Sequence, residues 1–115
     1  MQNKVILITG SNGEIGRALI KKFIKDKFNI IITIDLKESI DDFPVHESFC
    51  GSILDLELIE TIHSKYEISE IYHLAAVLST KAEQDPVRSS QVNVEGTNNM
   101  FDLCMKQFKK YNIQL

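Results

Sequence analysis

The chain has 115 residues, 43% of them hydrophobic, and a formal net charge of −3 at pH 7. This length and composition predict one globular domain, and the charge supplies no basic surface for nucleic acid or an anionic membrane. Apolar runs reach only four to six residues, whereas roughly 20 are needed to span a bilayer. The first apolar run also follows the start too closely for a signal peptide. We therefore expect a cytoplasmic protein with neither nucleic acid nor membrane as a partner.

Alternating short apolar runs and segments of helical spacing organise the chain. In chain order they predict a strand at residues 5–8, a helix at about 15–24, a strand at 29–34, a loop at 37–47, a strand at 48–51, a helix at 55–66, a strand at 71–74 and a helix at 86–110. The last helix begins with a proline in its first turn. Its buried stripe is predicted to comprise Val94, Thr97, Phe101, Cys104 or Met105, and Phe108.

Strands that alternate with helices indicate βαβ units and a parallel sheet with right-handed crossovers. The predicted fold is therefore α/β, a Rossmann-like sheet of four strands in the order 3-2-1-4 with helices on both faces. Ligands of such sheets bind beyond the carboxyl ends of the strands. These ends are predicted at Thr9-Gly10, Asp35, Gly51-Ser52 and residues 74–76.

A glycine-rich turn joins the first strand to the first helix and contains Gly10, Gly13 and Gly16. Unpaired N–H groups at a helix start carry partial positive charge, so the pyrophosphate of a dinucleotide binds there without a lysine. Glycine permits unusual backbone dihedrals and a close approach of the ligand. In the strand–turn–helix context the turn predicts dinucleotide binding.

Asp35 ends the second predicted strand about 20 residues beyond the turn, where a carboxylate accepts hydrogen bonds from a ribose. It would repel a 2′-phosphate, which favours NAD over NADP, although Lys37 lies nearby. Asp55 follows the third strand, and two roles are open: reaching the adenine edge or capping the next helix. The small residues after Leu74 either leave room for the nicotinamide half of the cofactor or simply pack in the core.

Histidine and cysteine give no sign of a metal site. His73 lies inside a predicted strand without a Cys or second His at ligand spacing, so a packed histidine is expected. Cys50 and Cys104 lie in apolar-patterned segments, which predicts a buried, reduced pair rather than a disulfide or a metal site. Asn93, inside the last helix, either points inward to hold a water or faces solvent.

Taken together, these motifs resemble the extended short-chain dehydrogenase/reductase family, also called NAD-dependent epimerases/dehydratases. The resemblance rests on Thr9-Gly10-x-x-Gly13-x-x-Gly16, Asp35, Asp55, the run Tyr72-His73-Leu74-Ala75-Ala76 and the run Asn93-Val94-Glu95-Gly96-Thr97. Two residues between successive glycines is this family's spacing, whereas Glu14 departs from the aromatic residue that many of its sugar-nucleotide enzymes carry. The resemblance implies an NAD-binding Rossmann domain over residues 1–115.

Residues 77–86 further resemble the corresponding loop of short-chain L-threonine 3-dehydrogenases, with sugar-nucleotide epimerases or dehydratases as the next alternative. By this resemblance Leu78 and Ser79 border a small-molecule substrate, and Asn93 is the asparagine of the family's catalytic tetrad. The predicted cofactor-binding residues are Gly10, Asn12, Gly13, Glu14, Ile15, Gly16, Asp35, Leu36, Asp55, Leu56, Leu74, Ala75 and Ala76.

The family's reaction needs a tyrosine base with a lysine four residues later, because an unassisted phenol is a poor base at neutral pH. None of the three tyrosines has this partner: the fourth residue after Tyr66 is Glu70, after Tyr72 it is Ala76, and after Tyr111 it is Leu115. We therefore expect a portion of a family enzyme that is inactive by itself and self-associates through the last helix or a sheet edge. A noncatalytic interaction module and a site completed by another chain are the alternatives.

Overall fold

The computed structural model describes residues 4–38, 42–75 and 85–111. Within these ranges the elements are β1 (Lys4–Thr9), α1 (Glu14–Phe23), β2 (Asn29–Asp35), β3 (Glu47–Cys50), α2 (Leu56–Lys65), β4 (Glu70–His73) and α3 (Pro86–Tyr111). Each predicted strand and helix is present, with boundaries displaced by at most one residue. None of the helices in these ranges is long and apolar enough to cross a membrane.

The four strands form one parallel sheet in the order β3-β2-β1-β4, which confirms the predicted Rossmann-like topology. β1 lies between two neighbours, with Thr9 opposite Ile34 of β2 and His73 of β4. Asp35 of β2 pairs with Cys50 of β3. This register brings the carboxyl ends of all four strands to the same edge of the sheet.

Both faces of the sheet are covered, because successive strand residues point to opposite sides. On one side Ile6 and Ile8 pack with Ile20 of α1. On the other side Leu7, Ile32 and Ile34 of the strands pack with residues of α2, α3 and the connecting segments, and these are Ile53, Ile59, Ile62, Ile68, Met100 and Leu103. The apolar runs of β1 and β2 therefore supply both cores at once.

The face of α3 that is buried differs from the predicted stripe. Its buried residues are Ser89, Gly96, Met100, Leu103 and Gln107, whereas Val94, Phe101, Met105 and Phe108 are exposed, Phe101 by 65%. Two contacts explain why the helix is rotated about its axis so that this face, and not the predicted one, is buried. Gly96 lies directly against the Ile53 side chain, where an added Cβ would overlap it. Gln107 accepts from the Ile68 N–H at 2.9 Å and donates to the Tyr66 carbonyl at 3.0 Å.

The cysteines are free, as expected, but Cys50 is exposed and only Cys104 is partly buried, so the expectation of a buried pair was wrong. Cys50 lies on β3, an edge strand of the described sheet that only β2 pairs. Burial raises the pKa of the Cys104 thiol.

Candidate cofactor site

The three glycines of the turn are constrained in different ways. Gly10 has a positive φ of 67°, and a Cβ there would lie 2.7 Å from the Ala75 nitrogen. A Cβ on Gly16 would lie 2.7 Å from the Gly10 carbonyl oxygen. A Cβ on Gly13 would meet only that same oxygen, at the ordinary contact distance of 3.4 Å. Gly10 and Gly16 are therefore required by the chain's own packing, whereas Gly13 leaves space that faces outward.

The start of α1 is left without a side-chain cap. Gly13 occupies the N-cap position, and no side chain among the described residues accepts from the first-turn N–H groups. The start of α2 contrasts with it, because Asp55 Oδ1 accepts from the N–H groups of Glu57 and Leu58 at 3.1 and 3.2 Å. The open N–H groups of α1 retain the partial positive charge that attracts an anion.

Asp35 is tied to the glycine turn through backbone donors. Its Oδ2 accepts from the Asn12 N–H at 3.0 Å, and its Oδ1 accepts from the Lys37 N–H at 3.1 Å. The Asn12 side chain in turn donates to the carbonyls of Lys37 and Glu38. A carboxylate oxygen accepts more than one hydrogen bond, so Asp35 keeps acceptor capacity for a ligand hydroxyl while its orientation is set by the turn.

A chain of hydrogen bonds joins β1, β4 and α3 beside the turn. The buried Thr9 hydroxyl oxygen accepts from the N–H groups of Leu74 and Ala75 at 3.0 and 3.1 Å. Its own proton is therefore directed to His73 Nδ1, 2.7 Å away. His73 Nε2 lies 3.3 Å from the Thr97 hydroxyl, which donates to the Asn93 carbonyl at 2.7 Å.

His73 is thus a packed residue, as predicted, and burial lowers its pKa from 6.5. A neutral ring that accepts at Nδ1 and donates at Nε2 satisfies both of its neighbours. No pattern in the sequence indicated that Thr9 and Thr97 would contact the same histidine ring, since they lie on separate elements.

A cavity of about 390 Å³ opens at the carboxyl edge of the sheet, within the size range of small-molecule sites. The predicted residues that line it are Gly10, Gly13, Asp35, Leu36, Leu74 and Ala75. Gly51 and Ser52, the predicted carboxyl end of the third strand, line it as well. The other lining residues carried no sequence signal of ligand contact, and these are Ile34, Ile53, Arg88 and Val92. Arg88 and Val92 lie one turn apart on α3, so only the packing of this helix could reveal them.

The remaining predicted residues occupy other places. Asn12 borders an adjoining cavity of about 260 Å³ that Asp35 also lines. Gly16 is buried behind the turn, and Glu14, Ile15 and Leu56 are exposed. Asp55 performs the capping role, and its contact with adenine stays a prediction. Asn93 is partly buried on α3, and Ala76, Leu78 and Ser79 lie outside the described residues.

No tyrosine lines this cavity among the described residues. Tyr66 is hydrogen-bonded to Glu47, and desolvation together with this bond raises its pKa to about 12. The hydrogen bond to Glu70 raises the pKa of Tyr72 in the same way. Both shifts run opposite to what a general base at neutral pH requires.

Comparisons with known proteins identify the family of the chain. Residues 6–115 match the model of the NAD dependent epimerase/dehydratase family, and the chain belongs to that family. A curated relative is the dTDP-D-glucose 4,6-dehydratase of Dictyostelium discoideum, which is 30% identical over an alignment of 115 positions. The alignment covers 90% of this chain and 26% of that protein. The chain spans about a quarter to a third of the length of the curated relatives it matches.

Two solved structures show the same fold. The L-threonine dehydrogenase of Clostridium difficile is 25% identical with a TM-score of 0.79, and the match covers 93% of this chain and 34% of that one. The UDP-glucose 4-epimerase of Thermotoga maritima is 27% identical with a TM-score of 0.78, and the match covers 90% of this chain and 34% of that one. The likeness is similar for both, so it identifies the family and not one of these two activities.

Proposed function

We propose that this chain binds NAD in the cavity at the carboxyl edge of the sheet, as the cofactor-binding part of a family oxidoreductase. The observation that carries the proposal is the presence of Gly13, the uncapped start of α1 and Asp35 at one cavity. Gly13 leaves room that a side chain would fill, the helix start attracts the pyrophosphate, and Asp35 accepts from a ribose hydroxyl.

NAD, when bound, supplies the hydride acceptor, and the residues of this chain bind and orient it. Asp35 places negative charge beside the adenosine ribose, which disfavours a 2′-phosphate and hence NADP. Leu74 and Ala75 form the wall next to Gly10, and the hydrogen bonds from their N–H groups to Thr9 keep that wall in place. Without a Tyr-x-x-x-Lys pair, the 115-residue chain is expected to form no NADH from any substrate.

Isothermal titration calorimetry of the chain with NAD and with NADP tests the proposal. Saturable binding of NAD that exceeds that of NADP is the expected result. If neither nucleotide produces heat or a thermal shift at millimolar concentration, the chain is not a cofactor-binding domain. A noncatalytic interaction module would then be the better description, to be examined by mixing the chain with a full-length family enzyme.

For the whole protein, we propose oxidation of L-threonine to 2-amino-3-oxobutanoate. The support is the resemblance of residues 77–86 to the loop of short-chain threonine dehydrogenases, together with the similar fold of the Clostridium difficile enzyme. A sugar nucleotide is the second candidate, favoured by the Dictyostelium dehydratase and the Thermotoga epimerase. Ligand-observed NMR of the NAD-loaded chain with L-threonine, UDP-glucose or dTDP-glucose separates them, and binding of a sugar nucleotide alone would contradict the threonine proposal.

A further inference from the structure

Arg88 brings a positive charge to the cavity from a different element than the glycine turn. It lies in the first turn of α3 and lines the same cavity as Gly10 and Gly13. Val92, one helical turn further on, lines it as well. Residues four apart share a helix face, so this face of α3 is directed at the cofactor cavity.

The hydrogen bonds of Arg88 leave much of its guanidinium available. Its Nη1 donates to Gln91 Oε1 at 3.0 Å, and its backbone N–H donates to Asp85 Oδ1 at 3.1 Å. No ion pair within residues 4–38, 42–75 and 85–111 includes Arg88. A guanidinium carries five N–H donors in a planar fork, and the bond to Gln91 occupies one edge of it while the residue remains exposed.

The charges that line the cavity are distributed unevenly. Among the described lining residues, Arg88 is the one cation and Asp35 the one anion. Asp35 is held at the end of β2 by Asn12 and Lys37, whereas Arg88 approaches from α3. A dinucleotide has the same division, because its ribose hydroxyls require an acceptor and its diphosphate carries two negative charges. Backbone N–H groups of the turn offer partial charges only.

We propose that Arg88 binds the diphosphate of NAD from the α3 side, as the cationic counterpart of the glycine turn; this proposal rests on the proposed function. The planar fork of arginine matches phosphate oxygens in a way that a lysine point charge does not. The cofactor is thereby held between two elements, the start of α1 and the start of α3.

Calorimetric titration of the intact chain tests this, with NAD, ADP-ribose and adenosine as ligands. The variants are Arg88→Gln, Arg88→Lys and the control Lys22→Gln, which removes one positive charge from an exposed position on α1. Arg88→Gln is expected to lower the affinity for NAD and for ADP-ribose by about tenfold or more and to leave the affinity for adenosine unchanged. Arg88→Lys should recover part of the loss, and Lys22→Gln should bind as the wild type does.

Salt and ligand provide independent readouts. The affinity of the wild type for ADP-ribose should fall with ionic strength more steeply than that of Arg88→Gln, because one charge pair is missing in the variant. An equal loss of affinity for adenosine and for ADP-ribose in Arg88→Gln would overturn the proposal, since it would place Arg88 beside the adenosine and not the diphosphate. Unchanged affinity of Arg88→Gln for ADP-ribose would also overturn it while NAD binding stands. A wild-type chain that binds neither NAD nor ADP-ribose would overturn the proposed function itself.

Discussion

Replacing Gly13 with alanine is expected to weaken NAD binding while leaving the stability of the fold nearly unchanged. Gly13 has φ −70° and ψ 169°, which alanine adopts without strain, and the new Cβ would meet only the Gly10 carbonyl oxygen at 3.4 Å. Alanine leaves the unfolded chain fewer conformations than glycine does, which stabilises the variant by about 0.4–1 kcal/mol. Loss of glycine at the N-cap costs roughly 0.5–1 kcal/mol. These two effects nearly cancel.

The binding energy has no such compensation. A methyl group at Gly13 projects into the space where the ligand would approach, and overpacking of this kind costs about 1–3 kcal/mol. That corresponds to a dissociation constant roughly 5- to 150-fold higher. Thermal unfolding followed by circular dichroism measures the first effect, and calorimetric titration with NAD measures the second.

Gly16→Ala is the matched control, since it adds the same methyl group three residues later. Its Cβ would lie 2.7 Å from the Gly10 oxygen and 2.8 Å from Ser11 Cα, both backbone atoms. The fold should lose about 1–3 kcal/mol, and its melting temperature should fall by roughly 4–12 °C. The reasoning is refuted if Gly13→Ala binds NAD like the wild type, or if it melts as early as Gly16→Ala.

Three further results are expected. Asp35→Asn should lower the affinity for NAD by about tenfold or more and raise the ratio of NADP affinity to NAD affinity. An unchanged ratio in competition titrations would exclude a contact between Asp35 and the ribose. We expect copies of the chain to associate through the exposed apolar side of α3, which includes Phe101, and a wild-type chain that sediments as a monomer would contradict this. Phe101→Glu should abolish the association in sedimentation velocity, whereas Lys22→Gln, with the same change in net charge, should not. The pKa of Tyr66 is raised from 10.0 to about 12, so the unfolded state loses this proton first and stability should decline as pH rises from 10 towards 12. Tyr66→Phe should flatten that decline in alkaline urea titrations, and an identical slope would show that Tyr66 does not contribute.

Local pattern was sufficient for the elements and for several of the residues that line the cavity. The apolar runs of β1 and β2 identify buried strands, and the glycines between β1 and α1 identify the turn. Parallel strands place their carboxyl ends together, so Gly10, Asp35 and Leu74 could be assigned to one cavity before any contact was known. Asp55 shows the limit of such reasoning: capping and ligand contact require the same residue at the same position, and only the hydrogen bonds to the next turn show that it caps α2.

The sequence by itself determined the strands and helices, the glycine turn and the acidic residue at the end of β2, because these depend on local periodicity and local motifs. The strand order followed from the right-handed βαβ topology that these elements indicate. The tertiary structure decided which side of α3 faces the sheet. Gly96 against Ile53 and the buried amide of Gln107 set that rotation, and neither residue counts in an apolar pattern. The same rotation brings Arg88 to the cavity at the carboxyl edge of the sheet, which no spacing along the chain could show because the helix and the turn meet only through packing.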